Sequence, residues 1–173
     1  AWWSGAIAGL TDSQYVTIRS PLWLGNGSNV GAGCAVQVGA GSSRTGYELY
    51  VISLTGVTNL YKWVSGTRTL IAGPVTLSLA ANDTLTLALV GGALTAHVNG
   101  GAAVSGLSYT DSSPLAGGRP GLTTALLRIS EWSAGNAVAD AGDTTAPILT
   151  SPTGTSTGST TASGTVSTNE VGG

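Results

Sequence analysis

The side chains of this sequence that could do chemistry are few and widely spaced. The acids are Asp12, Glu48, Asp83, Asp111, Glu131, Asp140, Asp143 and Glu170, each separated from the next. Hydrolysis of a glycosidic bond needs two carboxyl groups at a set distance across the scissile bond, and no stretch carries two acids on alternate residues. His97 is the single histidine, and no Gly-x-Ser-x-Gly elbow accompanies it. It reads as an imidazole on a sheet face. Cys34 is the only cysteine, which excludes an internal disulfide and a cysteine-based zinc centre. In Gly33-Cys34-Ala35-Val36 it reads as a small buried hydrophobe. The glycine-rich run at residues 39–43 lacks the Gly-Lys-Ser/Thr ending of a phosphate cradle. The chain therefore reads as non-catalytic.

Binding chemistry is better represented. Aromatic faces can stack on sugar rings while amides and carboxylates hold the hydroxyls. In Asn59-Leu60-Tyr61-Lys62-Trp63, strand alternation puts Asn59, Tyr61 and Trp63 on one face, making them the candidate glycan-binding residues. Trp2, Trp3, Trp23 and Tyr50 are further aromatic candidates. The competing reading is core packing, because a chain with no phenylalanine must also fill its interior with Trp and Tyr. Trp132 reads as such a core residue. Trp2 and Trp3 read as anchors of a protein interface.

The elements that must position these groups are strands. In Thr84-Leu85-Thr86-Leu87-Ala88-Leu89-Val90 the leucines share one face. Gly91-Gly92 supplies a tight turn, and Ala93 to Asn99 returns with Leu94, Ala96 and Val98 facing the core and His97 facing away. Further strands are expected over Gln14–Ser20, Ala32–Val38, Tyr47–Leu54, Leu60–Val64, Arg68–Ala72 and Leu122–Trp132, from their β-branched and aromatic content. Turn residues separate them, and no segment shows a capped helical period. The expected fold class is all-β: an antiparallel β-sandwich of the jelly-roll type with a Ser/Thr-rich C-terminal extension.

Composition bounds the partners. Only 8% of residues are charged against 42% hydrophobic, where soluble domains average about 25% charged. That style fits secreted, cell-surface and virion proteins. The six basic residues are scattered and the net charge is -2, so nucleic acid is not an expected partner. No apolar run approaches the roughly 20 residues of a membrane span, and no membrane insertion is expected. With no methionine, Ala1 reads as an internal residue of a longer polypeptide. The composition shifts near residue 139. We read residues 1–138 as the sandwich, 139–147 as a linker and 148–173 as an extension or the start of another domain. Half of residues 144–173 are Ser or Thr, too few of them apolar to offset ordering entropy alone. Residues 148–150 and 162–167 read as its strands.

Residues 1–138 resemble the concanavalin A-like lectin/glucanase superfamily in its laminin-G-like form. The resemblance is carried by Asp12 to Val16, Thr45 to Leu49, Leu60 to Thr67, Asn82 to Leu85, Leu94 to Gly100, Asp111 to Ser113, Gly117 to Leu122 and Glu131 to Gly135. It implies two antiparallel sheets in a jelly roll. Calcium sites in that superfamily are built from loop oxygens, and Asp111 and Asn99 lie in the matching regions as the candidate ligands for Ca2+. Turn capping is the commoner role for such residues, and no cofactor is expected. The segment from Asp143 to Pro152 resembles the start of an immunoglobulin-like repeat, of a kind found in bacteriophage virion and bacterial surface proteins. The combination implies a structural or adhesive module of a bacteriophage virion, as a capsid decoration or a tail or fibre component. It would be located at the virion surface or extracellularly, with other virion or surface proteins as partners, homo-oligomer or lattice contacts, and a surface glycan as a further partner. The alternative is a carbohydrate-binding module of a secreted or cell-surface bacterial protein. A glycosidase or lyase ranks third.

Overall fold

A computed structural model describes residues 2–3, 11–20, 29–38, 43–125, 129–137, 149–156 and 162–168. The chain divides into two compact units, Ala1–Ala139 and Asp140–Gly173. The first is an all-β sandwich of two antiparallel sheets. The six-stranded sheet holds β1 (Trp2–Trp3), β3 (Asn29–Val38), β4 (Arg44–Ile52), β5 (Val57–Val64), β6 (Thr67–Thr76) and β10 (Arg119–Ala125), in the spatial order β1-β10-β3-β4-β5-β6. The five-stranded sheet holds β2 (Gln14–Arg19), β7 (Thr84–Val90), β8 (Ala93–Val98), β9 (Ala103–Thr110) and β11 (Glu131–Asn136), ordered β11-β2-β7-β8-β9. Among the described residues of the second unit, β12 (Leu149–Ser156) pairs antiparallel with β13 (Ala162–Thr168).

The core lies between the two sheets, where the alternating apolar residues meet. Val16, Ile18, Leu85, Leu87, Leu94 and Ala96 come from one sheet, and Val30, Ala32, Tyr47, Leu49, Val51 and Leu60 from the other, all fully buried. Each large side chain so buried contributes roughly 1.5–3 kcal/mol. The β7–β8 hairpin forms as its sequence predicts. Gly91 and Gly92 both take positive φ, +55° and +88°, matching the right-handed twist of the flanking strands. A Cβ on Gly92 would approach the Asp111 carbonyl to 2.8 Å.

The structure departs from the sequence reading in three places. First, β9 was not anticipated, because its Ser-rich stretch around Gly106 has little apolar alternation; it forms an edge strand that buries only Leu107 fully. Second, the single strand expected from Leu122 to Trp132 is two strands, β10 and β11, in different sheets. Third, β1 pairs with β10 at one edge, Trp2 opposite Thr123 and Trp3 opposite Leu122. Trp132 does pack against the core, opposite Ile18. The linker at 139–147 and Trp23 lie outside the described residues.

Buried polar groups tie the loops at one end of the sandwich together. The Gln14 side chain is buried. Its amide N–H groups donate to the carbonyls of Gly118 (2.8 Å) and Thr11 (3.1 Å), and its Oε1 accepts from the Ala35 N–H (2.9 Å). Ala35 sits at a bulge in β3 with φ +51°, and the Gln14 oxygen satisfies the N–H that the bulge removes from the ladder.

Candidate functional site on the outer face of the six-stranded sheet

Along β4, Tyr47, Leu49 and Val51 face the core, so Arg44, Gly46, Glu48 and Tyr50 must face outward. The β4–β5 register pairs Gly46 with Trp63, Glu48 with Tyr61 and Tyr50 with Asn59. The β5–β6 register sets Arg68 beside Trp63 and Leu70 beside Tyr61. On the other side, Gly33 lies opposite Glu48 and Gly31 opposite Tyr50. Sheet pairing thus gathers Arg44, Glu48, Tyr50, Asn59, Tyr61, Trp63 and Arg68 on one surface beside a glycine-lined floor.

Trp63 is fixed along both its edge and its face. Its indole Nε1–H donates to Glu48 Oε2 at 2.7 Å, and the Arg44 guanidinium carbon lies 3.3 Å from the ring centroid. The ring is only 9% exposed yet is not part of the core cluster. Its burial comes from neighbours on its own sheet face. Arg68 covers Tyr61, with its guanidinium carbon 4.2 Å from that centroid, 5.7 Å from Tyr50 and 5.6 Å from Trp63. Tyr50 and Tyr61 meet edge to face at 6.3 Å. A cation–π contact of this kind engages the face of the Arg68 guanidinium and not its N–H edge.

Glu48 is 1% exposed. A carboxyl so placed needs partners, and the Trp63 bond engages only Oε2. Its other oxygen, Oε1, lies over Gly31, where a Cβ would approach it to 2.8 Å. On the far side of Gly31, directly opposite it in β10, is Thr123. The Thr123 Oγ1 is buried and has no hydrogen-bond partner. The Glu48 side chain thus fills the space that the missing Gly31 side chain leaves, with Thr123 on the far side of that glycine. Burial pulls the Arg44 guanidinium below its ordinary pKa; the Glu48 charge opposes this and the Arg68 charge adds to it.

The structure places Asn59, Tyr61 and Trp63 on one face, as alternation requires, with Asn59 and Trp63 buried and Tyr61 partly so. It does not leave them as bare stacking surfaces, because Arg44 and Arg68 occupy ring faces. The sequence reading missed Arg44, Glu48, Arg68, Gly31 and Thr123. The signal for Glu48 was present, since core-facing Tyr47 and Leu49 force it outward. The signal for the others required the strand register.

The expected pair of calcium ligands does not form a joint site. Asn99 follows β8 at one end and Asp111 lies beside Gly92 at the other, its N–H donating to the Gly92 carbonyl at 2.9 Å. Both are occupied by protein donors. Asn99 Oδ1 accepts from the Thr84 N–H (2.8 Å) while its amide donates to Asp83 (2.8 Å). Asp111 is buried and accepts from the Tyr47 hydroxyl (2.6 Å), the Lys62 ammonium (2.5 Å) and the Ser113 N–H (3.0 Å). Among the described residues no cluster of three or more His, Cys, Asp or Glu forms. His97 bonds the Gly101 carbonyl (2.8 Å) and the Thr95 hydroxyl (3.0 Å).

No protein-family model matches the chain, and no curated protein matches it by sequence. Solved structures do match by fold. The carbohydrate-binding module CBM66 from Bacillus subtilis superposes with a TM-score of 0.54 at 15% identity, covering 78% of this chain and 78% of that one. Sheep galectin-11, solved in complex with glycerol, superposes with a TM-score of 0.54 at 12% identity, covering 78% of this chain and 96% of that one. The likeness is one of fold: this chain shares an antiparallel β-sandwich with that module and that galectin.

Proposed function

We propose that the sandwich is a carbohydrate-binding module whose ligand sits on the outer face of the six-stranded sheet. The observation that carries this reading is a polar patch on an aromatic floor, the Glu48 carboxyl held by the Trp63 indole next to the Arg68 guanidinium over Tyr61. Sugar hydroxyls both donate and accept. A carboxylate and the guanidinium edge of Arg68 are complementary to them. The fold supports the same reading, since it is shared with a module named for carbohydrate binding and with a galectin.

A non-catalytic role is part of the proposal. Glu48 is the one carboxyl that the described strands place on this face, and hydrolysis by the usual routes needs two. Display on a bacterial or virion surface is also part of it and rests on the low charge content. The virion-structural role expected from the sequence has no independent observation in its favour, and we place the carbohydrate reading first.

The test is a broad glycan array probed with the whole chain and with Glu48→Gln. Binding by the parent that falls at least tenfold in the variant is the expected outcome, in line with the loss of one hydrogen bond to a charged group. A folded parent that binds nothing on the array overturns the proposal.

A further inference from the structure

We infer that the preferred ligand is an acidic glycan, in which one sugar presents a ring hydroxyl to Glu48 and an anionic group to Arg68. The inference rests on the carbohydrate reading of this face and adds the ligand class. It follows from a charge inventory. The described strands place two guanidinium groups, Arg44 and Arg68, and one carboxyl, Glu48, on the surface. Glu48 acts on Arg44, whose guanidinium is stacked on the same Trp63 ring that Glu48 holds. Arg68 has only aromatic rings beneath it, those of Tyr50, Tyr61 and Trp63. It is exposed, and the described residues give it no carboxylate partner.

The geometry suits an anion on a sugar ring. Rings on three neighbouring positions lie against the guanidinium, and none of them takes up its planar N–H fork. That fork matches a carboxylate in two parallel hydrogen bonds. Arg68 stems from β6 but lies over Tyr61 of β5, the strand next to Glu48. Its guanidinium is therefore about one strand spacing, roughly 5 Å, from the strand that carries Glu48. A sugar ring with its substituents spans that distance. A neutral sugar would leave the Arg68 fork unmatched.

The test compares polygalacturonate with its fully methyl-esterified form, which keeps the backbone and removes the charge. Dextran sulfate against dextran forms a second arm, so that a carboxylate ligand is separated from a sulfate one. The whole chain should bind at least one charged polymer roughly 10- to 100-fold more tightly than its neutral counterpart. Raising the salt should narrow that gap. The preference should vanish in Arg68→Gln, whose side chain is exposed and should not disturb folding. It should be recovered only in part by Arg68→Lys, which keeps the charge and loses the fork. Equal binding of charged and neutral partners, lost together in Glu48→Gln, overturns the inference and leaves the carbohydrate reading intact. A preference that survives in Arg68→Gln overturns it as well. No binding of these polymers or of any arrayed glycan by the folded chain overturns both.

Discussion

The Trp63 indole donates to Glu48 Oε2 at 2.7 Å, across the β4–β5 pair, so a tryptophan edge rather than a basic residue holds the buried carboxyl of this face. The consequence is a polar site stabilised by aromatic rings. Arg44 and Arg68 take the ring faces that a stacking platform would have offered, and the sheet presents donors and acceptors instead. Recognition in such a site depends on where the carboxyl and guanidinium edges are held.

Gly31 is therefore expected to matter for binding more than for folding. A Cβ there would meet Glu48 Oε1 at 2.8 Å and Cγ at 3.0 Å, and the backbone at Gly31 requires no positive φ. Gly31→Ala should displace the Glu48 side chain from the space it occupies over Gly31. We expect glycan affinity to fall tenfold or more, with a stability loss of about 1–3 kcal/mol from overpacking. Paired binding isotherms and urea unfolding curves separate the two effects.

Gln14 should be intolerant of apolar replacement. Gln14→Leu would remove the acceptor of the Ala35 N–H and a donor to the Gly118 carbonyl in a buried setting. Each orphaned group costs about 1–3 kcal/mol, so a loss of several kcal/mol is expected in urea denaturation. Gly118→Ala should be worse, because its Cβ would fall 2.1 Å from the Ala35 carbonyl carbon. That variant is expected to give no soluble folded protein.

Stability should depend on Asp111 in acid. Burial works to raise its pKa, but bonds from Lys62, Tyr47 and the Ser113 N–H outweigh it and hold the carboxyl below its ordinary value. A depressed folded pKa means stability is fully present above the unfolded value, about 3.9, and is lost as the pH falls through the folded one. Urea midpoints measured from pH 6 to pH 2 should show this loss. Asp111→Asn should begin about 1–3 kcal/mol lower at pH 6 and lack that part of the acid dependence.

Cys34 should be inert while the chain is folded. The thiol is fully buried, and burial pushes its pKa far above the ordinary range. The nucleophile is the thiolate, so neither form nor access favours attack. A thiol-reactive dye at pH 8 should label the protein only at the rate of unfolding, and completely in 6 M guanidinium chloride. Prompt stoichiometric labelling of the native chain would contradict the buried placement.

The sequence by itself determined the strands whose residues alternate cleanly and the turn between two of them. Leu85, Leu87 and Leu89 answer Leu94 and Ala96 across Gly91-Gly92 because period-two burial and positive φ are local properties. It also determined that Glu48 and Trp63 face outward, since Tyr47, Leu49 and Leu60 had to face inward. It could not reveal β9, whose edge position demands little apolar alternation, nor the break that sends β10 and β11 to different sheets. Only the tertiary structure decided which outward residues meet. Arg68 reaches Tyr61, and Thr123 approaches Gly31, through pairing between strands far apart in the chain. Register is set by the packing of whole sheets, and a slip of one residue would turn every one of these side chains to the other face. The separation of Asn99 from Asp111 was decided in the same way, by the length of β8 between them.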